Sequence, residues 1–375
     1  MVPIQVAYDR EIFLFQEFGG VSKSFARVIQ EFTENEDLAI EPLFTFKRSN
    51  NSYLREQFPK LFAPQKYFFQ PKGGLGTLLT LGPTRSVLSR WSGGKSPVKK
   101  SDIFQATYYR PTHYEIPRGS KIAVTVHDFI PEKLGWTGMR NPHIGKESLC
   151  RRADVIFCVS KVTATDLVER YRVDESKIKV IHHGFELKES LGLNPESPEN
   201  SSPIILYIGH RGGYKNFQIL VDALRISKSA GGDLRLVSVG PDLIASERVN
   251  NSDLIESGSW IHLGNVSEVE LDRLYQRATL HCVTSLMEGF GMTILESMSY
   301  GTPVVLSDIP IFREVAGAAG IYFDPFESDD LLAKLVDTLQ SSTLSNARQR
   351  VVDHVLGRDW SHVAVKYAEA YRELV

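Results

Sequence analysis

The chain has 375 residues, 42% hydrophobic and 23% charged, with 43 basic against 45 acidic side chains and a formal net charge of -2. These proportions exclude a disordered or fibrous chain, and the charge balance excludes a globally basic binder of nucleic acid or anionic membrane. One hydrophobic core stops growing near ~250 to 300 residues, so two domains are expected.

The N-terminus opens directly into Ile4-Gln5-Val6-Ala7-Tyr8-Asp9, without the basic region, apolar stretch and small-residue cleavage site of a secretory leader. No run approaches the ~18 apolar residues of a spanning helix, so a cytoplasmic protein is expected. Strands are predicted at 4-9, 102-107, 121-127, 154-159 and 178-182, alternating with helical-period segments. Residues 51-100 break the pattern with Gly73-Gly74, Gly93-Gly94, Arg85, Arg90, Lys95, Lys99 and Lys100. They read as an excursion from a sheet domain: a solvated loop, or a surface for an acceptor or a membrane.

The polar tract Asn194 to Ser202 reads as an exposed linker at the domain boundary. Strands resume at 204-209, 234-239, 260-263, 279-284 and 303-307. Phe217, Leu220, Val221 and Leu224 set a helix after the first of them, and Ser267 with Glu270 forms a capping box that starts a helix near Glu268. Residues 360-374 carry the apolar period of an amphipathic terminal helix. The alternation is that of α/β domains with parallel sheets covered by helices. Cys150, Cys158 and Cys282 lack metal-ligand spacing and read as core thiols.

The densest chemistry lies in Glu288-Gly289-Phe290-Gly291-Met292-Thr293-Ile294-Leu295-Glu296, followed by Gly301-Thr302-Pro303-Val304-Val305. Gly289 and Gly291 let backbone N–H groups approach an anion where a helix starts, which suits a diphosphate. Glu288 precedes that helix and Glu296 lies a turn inside it, so the carboxylates can flank one ligand and accept from paired hydroxyls. As a bare pattern, Glu-x7-Glu equally describes two solvated glutamates.

Gly209-His210-Arg211-Gly212-Gly213-Tyr214-Lys215-Asn216 sets two cations four residues apart. Arg can engage two phosphate oxygens and Lys acts as a point charge, although alone the pair also fits a solvated turn. Phe18-Gly19-Gly20-Val21-Ser22 is a glycine loop between strand and helix, a connection any tight turn could need. Val124-Thr125-Val126-His127-Asp128 puts a histidine at the carboxyl end of a buried strand, where open α/β sheets gather ligands, or where a structural histidine sits.

In this order, the segments resemble the retaining glycosyltransferases of GT-B architecture, glycosyltransferase family 4 (group 1), over nearly the whole chain. The resemblance implies two Rossmann-like domains with parallel sheets facing across a cleft: 1-185 for the acceptor, 186-359 for the nucleotide-sugar donor, and the helix 360-375 returning to the first. It implies that Glu288 approaches donor-sugar hydroxyls and Glu296 the ribose. It further implies that amides of Phe290, Gly291, Met292 and Thr293 meet the diphosphate, and that Arg211 and Lys215 neutralise it as it leaves. Gly19 and Gly20 would face the diphosphate, and His127 the donor sugar, with Asp128 a neighbour rather than a metal ligand. His262-Leu263-Gly264-Asn265-Val266 resembles the stretch beside the base, making Val266 a base contact. Val159-Ser160-Lys161 and Val180 to Gly184 resemble the segments closing the first domain, with His182-His183 structural. Gln105 stands where relatives often carry histidine, which bears on acceptor contacts.

The expectation is a retaining hexosyltransferase acting in surface polysaccharide or O-antigen synthesis. GDP-mannose is the favoured donor, a UDP-sugar the next, and the acceptor is a saccharide or lipid-linked saccharide. No Asp-x-Asp element occupies a strand-end loop, so no metal or cofactor is expected, nor nucleic acid. A peripheral contact at the inner membrane face is a candidate partner. The alternatives are a GT-B epimerase or phosphorylase, and a non-catalytic nucleotide-sugar-binding partner of another transferase.

Overall fold

The computed structural model describes residues 2-62, 98-110, 116-138, 141-186 and 202-375. The chain divides into two compact units, Met1–Gly184 with Trp360–Val375, and Phe185–Asp359.

In the first unit, β1 (Ile4–Tyr8), β2 (Ile40–Phe44), β3 (Ile103–Ala106), β4 (Lys121–Val126), β5 (Val155–Cys158) and β6 (Ile178–Val180) form one parallel sheet in the order β2-β1-β3-β4-β5-β6. β3 and β5 are buried along their whole length, as befits strands covered on both faces. β2 was not among the predicted strands. It is an edge strand carrying Pro42 and an exposed Glu41, and Pro is tolerated only where no ladder donor is needed.

The helix Gly20–Glu34 buries Phe25, Ala26, Val28, Ile29 and Phe32. Beside it, in the same unit, packs the helix Trp360–Arg372. The Tyr367 ring lies 4.6 Å from Phe157, and the Tyr371 ring 6.2 Å from Phe32. The Tyr371 hydroxyl donates to Gln105 Oε1 at 2.9 Å, while Gln105 Nε2 donates to the Ala106 carbonyl and Thr125 Oγ1. Gln105 is therefore a fully satisfied buried amide that anchors the terminal helix.

In the second unit, β7 (Ile204–Ile208), β8 (Arg235–Val239), β9 (Trp260–His262), β10 (Leu280–Val283), β11 (Val304–Ser307) and β12 (Ile321–Phe323) form a parallel sheet in the order β12-β11-β10-β7-β8-β9. Ile205, Leu236, Leu280 and Val305 pack with Leu220, Leu224 and Leu335 in its core. β12, three residues at an edge, also escaped prediction. The capping box forms: Ser267 Oγ accepts from Glu270 N, Glu270 Oε2 accepts from Ser267 N, and the helix Glu268–Arg277 follows. Glycine is obligatory at 240, where an added Cβ would lie 2.3 Å from the Gly209 carbonyl oxygen.

The three cysteines are buried and free. Burial pushes the Cys150 thiol up to about 12 and raises Cys158 and Cys282 as well, so all three are inert. Of the irregular stretch 51-100, the start forms the helix Ser52–Gln57, capped by Asn51, and 63-97 lie outside the described residues, as do 194-201 of the polar tract. Among the described residues no helix is long and apolar enough to cross a membrane.

Each sheet changes direction once. β7 leads outward to β8 and β9 while its other neighbour, β10, leads to β11 and β12; β1 and β3 have the corresponding relation. At such a point the connections leave to opposite sides and open a crevice at the carboxyl ends of the strands.

Candidate functional site

The crevice in the second unit lies between β7 and β10, and the loops leaving those strands are tied to one another. Leu286 N donates to the Tyr214 carbonyl at 2.8 Å and Thr284 Oγ1 to the Lys215 carbonyl at 2.7 Å. Asn216 takes a left-handed conformation, φ 50°, which Asn tolerates better than most residues, and its Nδ2 donates to the Pro325 carbonyl. This bracing brings Lys215 Nζ to 2.5 Å from Glu288 Oε1, which also accepts from Ser285 Oγ at 2.8 Å. The two partners keep 21% and 15% of their side-chain surface exposed, so the pair is reachable by a ligand.

Immediately beyond, Gly291 caps the helix Met292–Ser299 with φ 96°. A side chain there would be strained, and its Cβ would crowd Ile294 and Phe312 at 3.0 and 3.3 Å. Met292 and Thr293 open the helix, where backbone N–H groups have no intrahelical acceptor and the helix dipole favours an anion. Phe290 is buried. One turn further, Glu296 accepts from the Tyr275 hydroxyl at 3.1 Å. Burial and the Glu296 charge hold Tyr275 far above its ordinary pKa, so it remains a donor. Tyr275 stacks on Tyr300 and meets His281 edge-on.

Arg211, after β7, has another partner. Its Nε and Nη2 reach Glu247 Oε1 and Oε2 at 2.8 and 3.1 Å, and Nη2 also donates to the Asp242 carbonyl. The Arg211 hydrogen bonds hold the Glu247 carboxyl below its ordinary range. His262, at the end of β9, is lowered by burial and by Arg211. Val266 is half-buried and packs against the cluster of Leu206, Val237, Val239 and Tyr275.

In the first unit the ends of β1 and β3 are clasped by buried Asp9, which accepts from Glu11 N at 2.7 Å and Thr107 N at 3.1 Å. The predicted glycine loop requires correction: a short helix, Glu11–Phe15, intervenes, and Gly20 is already the first residue of the next helix. The reason is Gln16, whose Oε1 accepts from Ser22 N at 2.9 Å and supplies the cap that Gly19 lacks. Asn51 Nδ2 in turn donates to the Gln16 carbonyl at 2.7 Å.

His127 follows β4 and is buried, its ring stacked 5.9 Å from His183 and edge-on to Phe25. Neither ring nitrogen has a partner, and burial, with His183 next, drives its pKa far down, so the imidazole is neutral. Asp128 accepts from Ile130 N, and its carbonyl accepts from Lys146 Nζ at 2.8 Å. Lys146 has no exposed side-chain surface; it pairs with Glu132 at 2.8 Å and lies 3.6 Å from the Phe129 ring centroid. Burial opposes ionisation of Glu132, but His143 and Lys146 outweigh it and hold the carboxyl at about 2.

Sequence reasoning did not single out Glu247, Tyr275 or the Lys146 and Glu132 pair. No local signal separates them from solvated charges or an ordinary core tyrosine.

The family described as Glycosyl transferases group 1 matches residues 193-353, and that described as Glycosyltransferase Family 4 matches residues 18-189. Among characterised proteins, the chain is 26% identical over 291 residues to O-antigen chain mannosyltransferase B of Escherichia coli, covering 71% of this chain and 74% of that one. It is 28% identical over 219 residues to the O-antigen chain mannosyltransferase RfbU of Salmonella typhimurium, covering 57% and 60%. Over 208 residues it is 26% identical to the GDP-mannose:cellobiosyl-diphosphopolyprenol alpha-mannosyltransferase of Xanthomonas campestris, covering 53% of each. The matches thus span between about half and three quarters of these relatives. Among solved structures, Anabaena HepE in complex with UDP and glucose superposes with a TM-score of 0.71 at 16% identity, covering 99% of this chain and 100% of that one. WaaG, described as a glycosyltransferase involved in lipopolysaccharide biosynthesis, does so with 0.67 at 14%, covering 97% and 99%.

Proposed function

This chain belongs to the group 1 glycosyltransferases of family 4, with the GT-B fold, and on that premise we propose that it transfers mannose from GDP-mannose, with retention and without a metal, to a saccharide hydroxyl. The named activities of the O-antigen and polyprenol-linked mannosyltransferases support the donor and a lipid-linked saccharide acceptor in surface polysaccharide assembly.

The observation that carries the reading is the meeting of Lys215 and Glu288 beside the helix Met292–Ser299. In a nucleotide sugar one bridging oxygen joins phosphate to sugar. A cation for the phosphate and a carboxylate for the sugar hydroxyls must therefore stand side by side. Arg211, Lys215 and the amides of Met292 and Thr293 would stabilise the charge that grows on the departing diphosphate more than they stabilise the ground state. With those cations present, no divalent ion is needed for that charge.

Glu296, oriented by Tyr275, would take the ribose hydroxyls, and Val266 would face the base. In the first unit, neutral His127 is the proposed sugar contact, and Gly19 and Gly20 the close-approach backbone. In the retaining step the acceptor oxygen bonds to the anomeric carbon as the carbon–phosphate oxygen bond breaks on the same face, and the acceptor proton passes to the departing phosphate oxygen.

The test is transfer from GDP-mannose and UDP-glucose to a lipid-linked saccharide in excess EDTA, with the product anomer assigned by NMR. Thermal shifts accompany it, since a ligand at ~100 times its dissociation constant stabilises by about 2.7 kcal/mol. A shift with UDP and none with GDP would overturn the donor, and an inverted product would overturn retention.

A further inference from the structure

Arg211 is held in an unusual way for a residue meant to meet a ligand. Its side chain is 94% buried, counting from an exposure of 6%. Of its five N–H donors, those on Nε and Nη2 are taken by the two Glu247 oxygens and the Asp242 carbonyl. The donors on Nη1 are buried and have no partner. A buried donor without an acceptor is costly, more so when charged, and native proteins rarely keep one without a use.

Glu247 is itself fixed. It belongs to the helix Ala245–Asn250, and its Oε2 accepts from Ile244 N at 2.9 Å, capping that helix. The guanidinium is therefore gripped along one edge by a carboxylate that is itself tied to a helix N-terminus, and its rotamer is set from outside the motif that supplies it.

We propose that Glu247 is a positioning residue for the donor diphosphate: it locks Arg211 through Nε and Nη2 so that the Nη1 edge is the one left to a phosphate oxygen. This rests on the reading of Arg211 as a diphosphate ligand. Because Glu247 shares the Arg211 charge, the short-range, directed hydrogen bonds of the guanidinium carry its effect on the phosphate, and their alignment matters. Its loss should affect turnover, where alignment matters, far more than the affinity for free nucleoside diphosphate.

The experiment is a double-mutant cycle with Glu247→Gln and Glu247→Ala in the parent and in Arg211→Ala, reading kcat and KM for GDP-mannose, GDP affinity by calorimetry, and Tm. Gln keeps the cap and one acceptor for Arg211, so it controls for a purely structural role. Expected are a fall in kcat of about 10-fold for Glu247→Gln and about 50-fold for Glu247→Ala, with GDP affinity within about threefold of the parent. In the Arg211→Ala background either change should cost less than about twofold more. Unchanged kcat in both Glu247 variants, or a loss undiminished without Arg211, overturns the assignment. Tighter GDP binding with faster turnover also overturns it, since that would mark an inhibitory pair. If Arg211→Ala itself turns over normally, the failure lies in the diphosphate reading of Arg211; if it is impaired and the Glu247 variants are not, only the role of Glu247 fails.

Discussion

His281 stands in β10 with no exposed surface, and neither ring nitrogen has a partner. Burial alone lowers its pKa from the ordinary 6.5 to about 3. The folded value is depressed, so the unfolded chain binds the extra proton. Stability from this residue is therefore complete above about 6.5 and is lost as pH falls below it toward 3. At pH 5.0 the unfolded state is favoured by about 1.5 pK units, or about 2 kcal/mol at 1.36 kcal/mol per unit. The result hardly depends on the folded value, because a group titrating near 3 is still neutral at pH 5.0. Against a typical stability of about 5–15 kcal/mol this is a measurable fraction. The assay is denaturant unfolding at pH 7.5 and 5.0, followed by hydrogen exchange of β7 and β10 so that the second unit is read by itself. The parent should lose about 2 kcal/mol more than His281→Leu over that interval. Equal slopes for the two proteins would refute the buried neutral imidazole.

With saturating donor, Lys215→Ala or Arg211→Ala should lower turnover by about 100-fold or more, the scale of one lost transition-state charge stabiliser; near-normal turnover in either would remove it from the site. Glu296→Gln should weaken GDP binding, whereas Glu288→Gln should spare GDP and weaken GDP-mannose, so equal losses in all four titrations would contradict the division of roles. Most activity should persist in excess EDTA, and a strict demand for magnesium or manganese would contradict the use of protein cations. Tyr371→Phe leaves the buried Gln105 Oε1 without its donor and should cost about 1–3 kcal/mol. Deleting residues 360-375 removes buried Trp360, Tyr367 and Tyr371 at about 1.5–3 kcal/mol each or more, so the first unit should unfold; an unchanged melting temperature would show the terminal helix to be dispensable in the deletion and the Gln105 bond to be without weight in Tyr371→Phe.

Much of the fold is written locally. The apolar runs of β3, β5 and β10, the period of Phe217, Leu220, Val221 and Leu224, and the Ser267 and Glu270 box each act within a turn or a strand, so they are legible without knowing the rest of the chain. Edge strands are less so: β2 carries Pro42 and β12 has three residues, and the partner that makes each a strand lies elsewhere. The Glu288 to Glu296 and Arg211 to Lys215 segments were visible as motifs, but not the company they keep. Lys215 meets Glu288 across 73 residues, and Arg211 meets Glu247 across 36. Tyr275 beneath Glu296, and Lys146 stripped of solvent beside Glu132, have no sequence signature at all. The period of residues 360-374 announced a helix with one apolar face and the family resemblance its return to the first domain, but only the tertiary structure decided which residues that face meets, Phe157 against Tyr367 and Gln105 against Tyr371. Period and capping are set by neighbours one turn away, whereas burial, charge pairing and pKa depend on which distant strands the parallel sheet brings side by side.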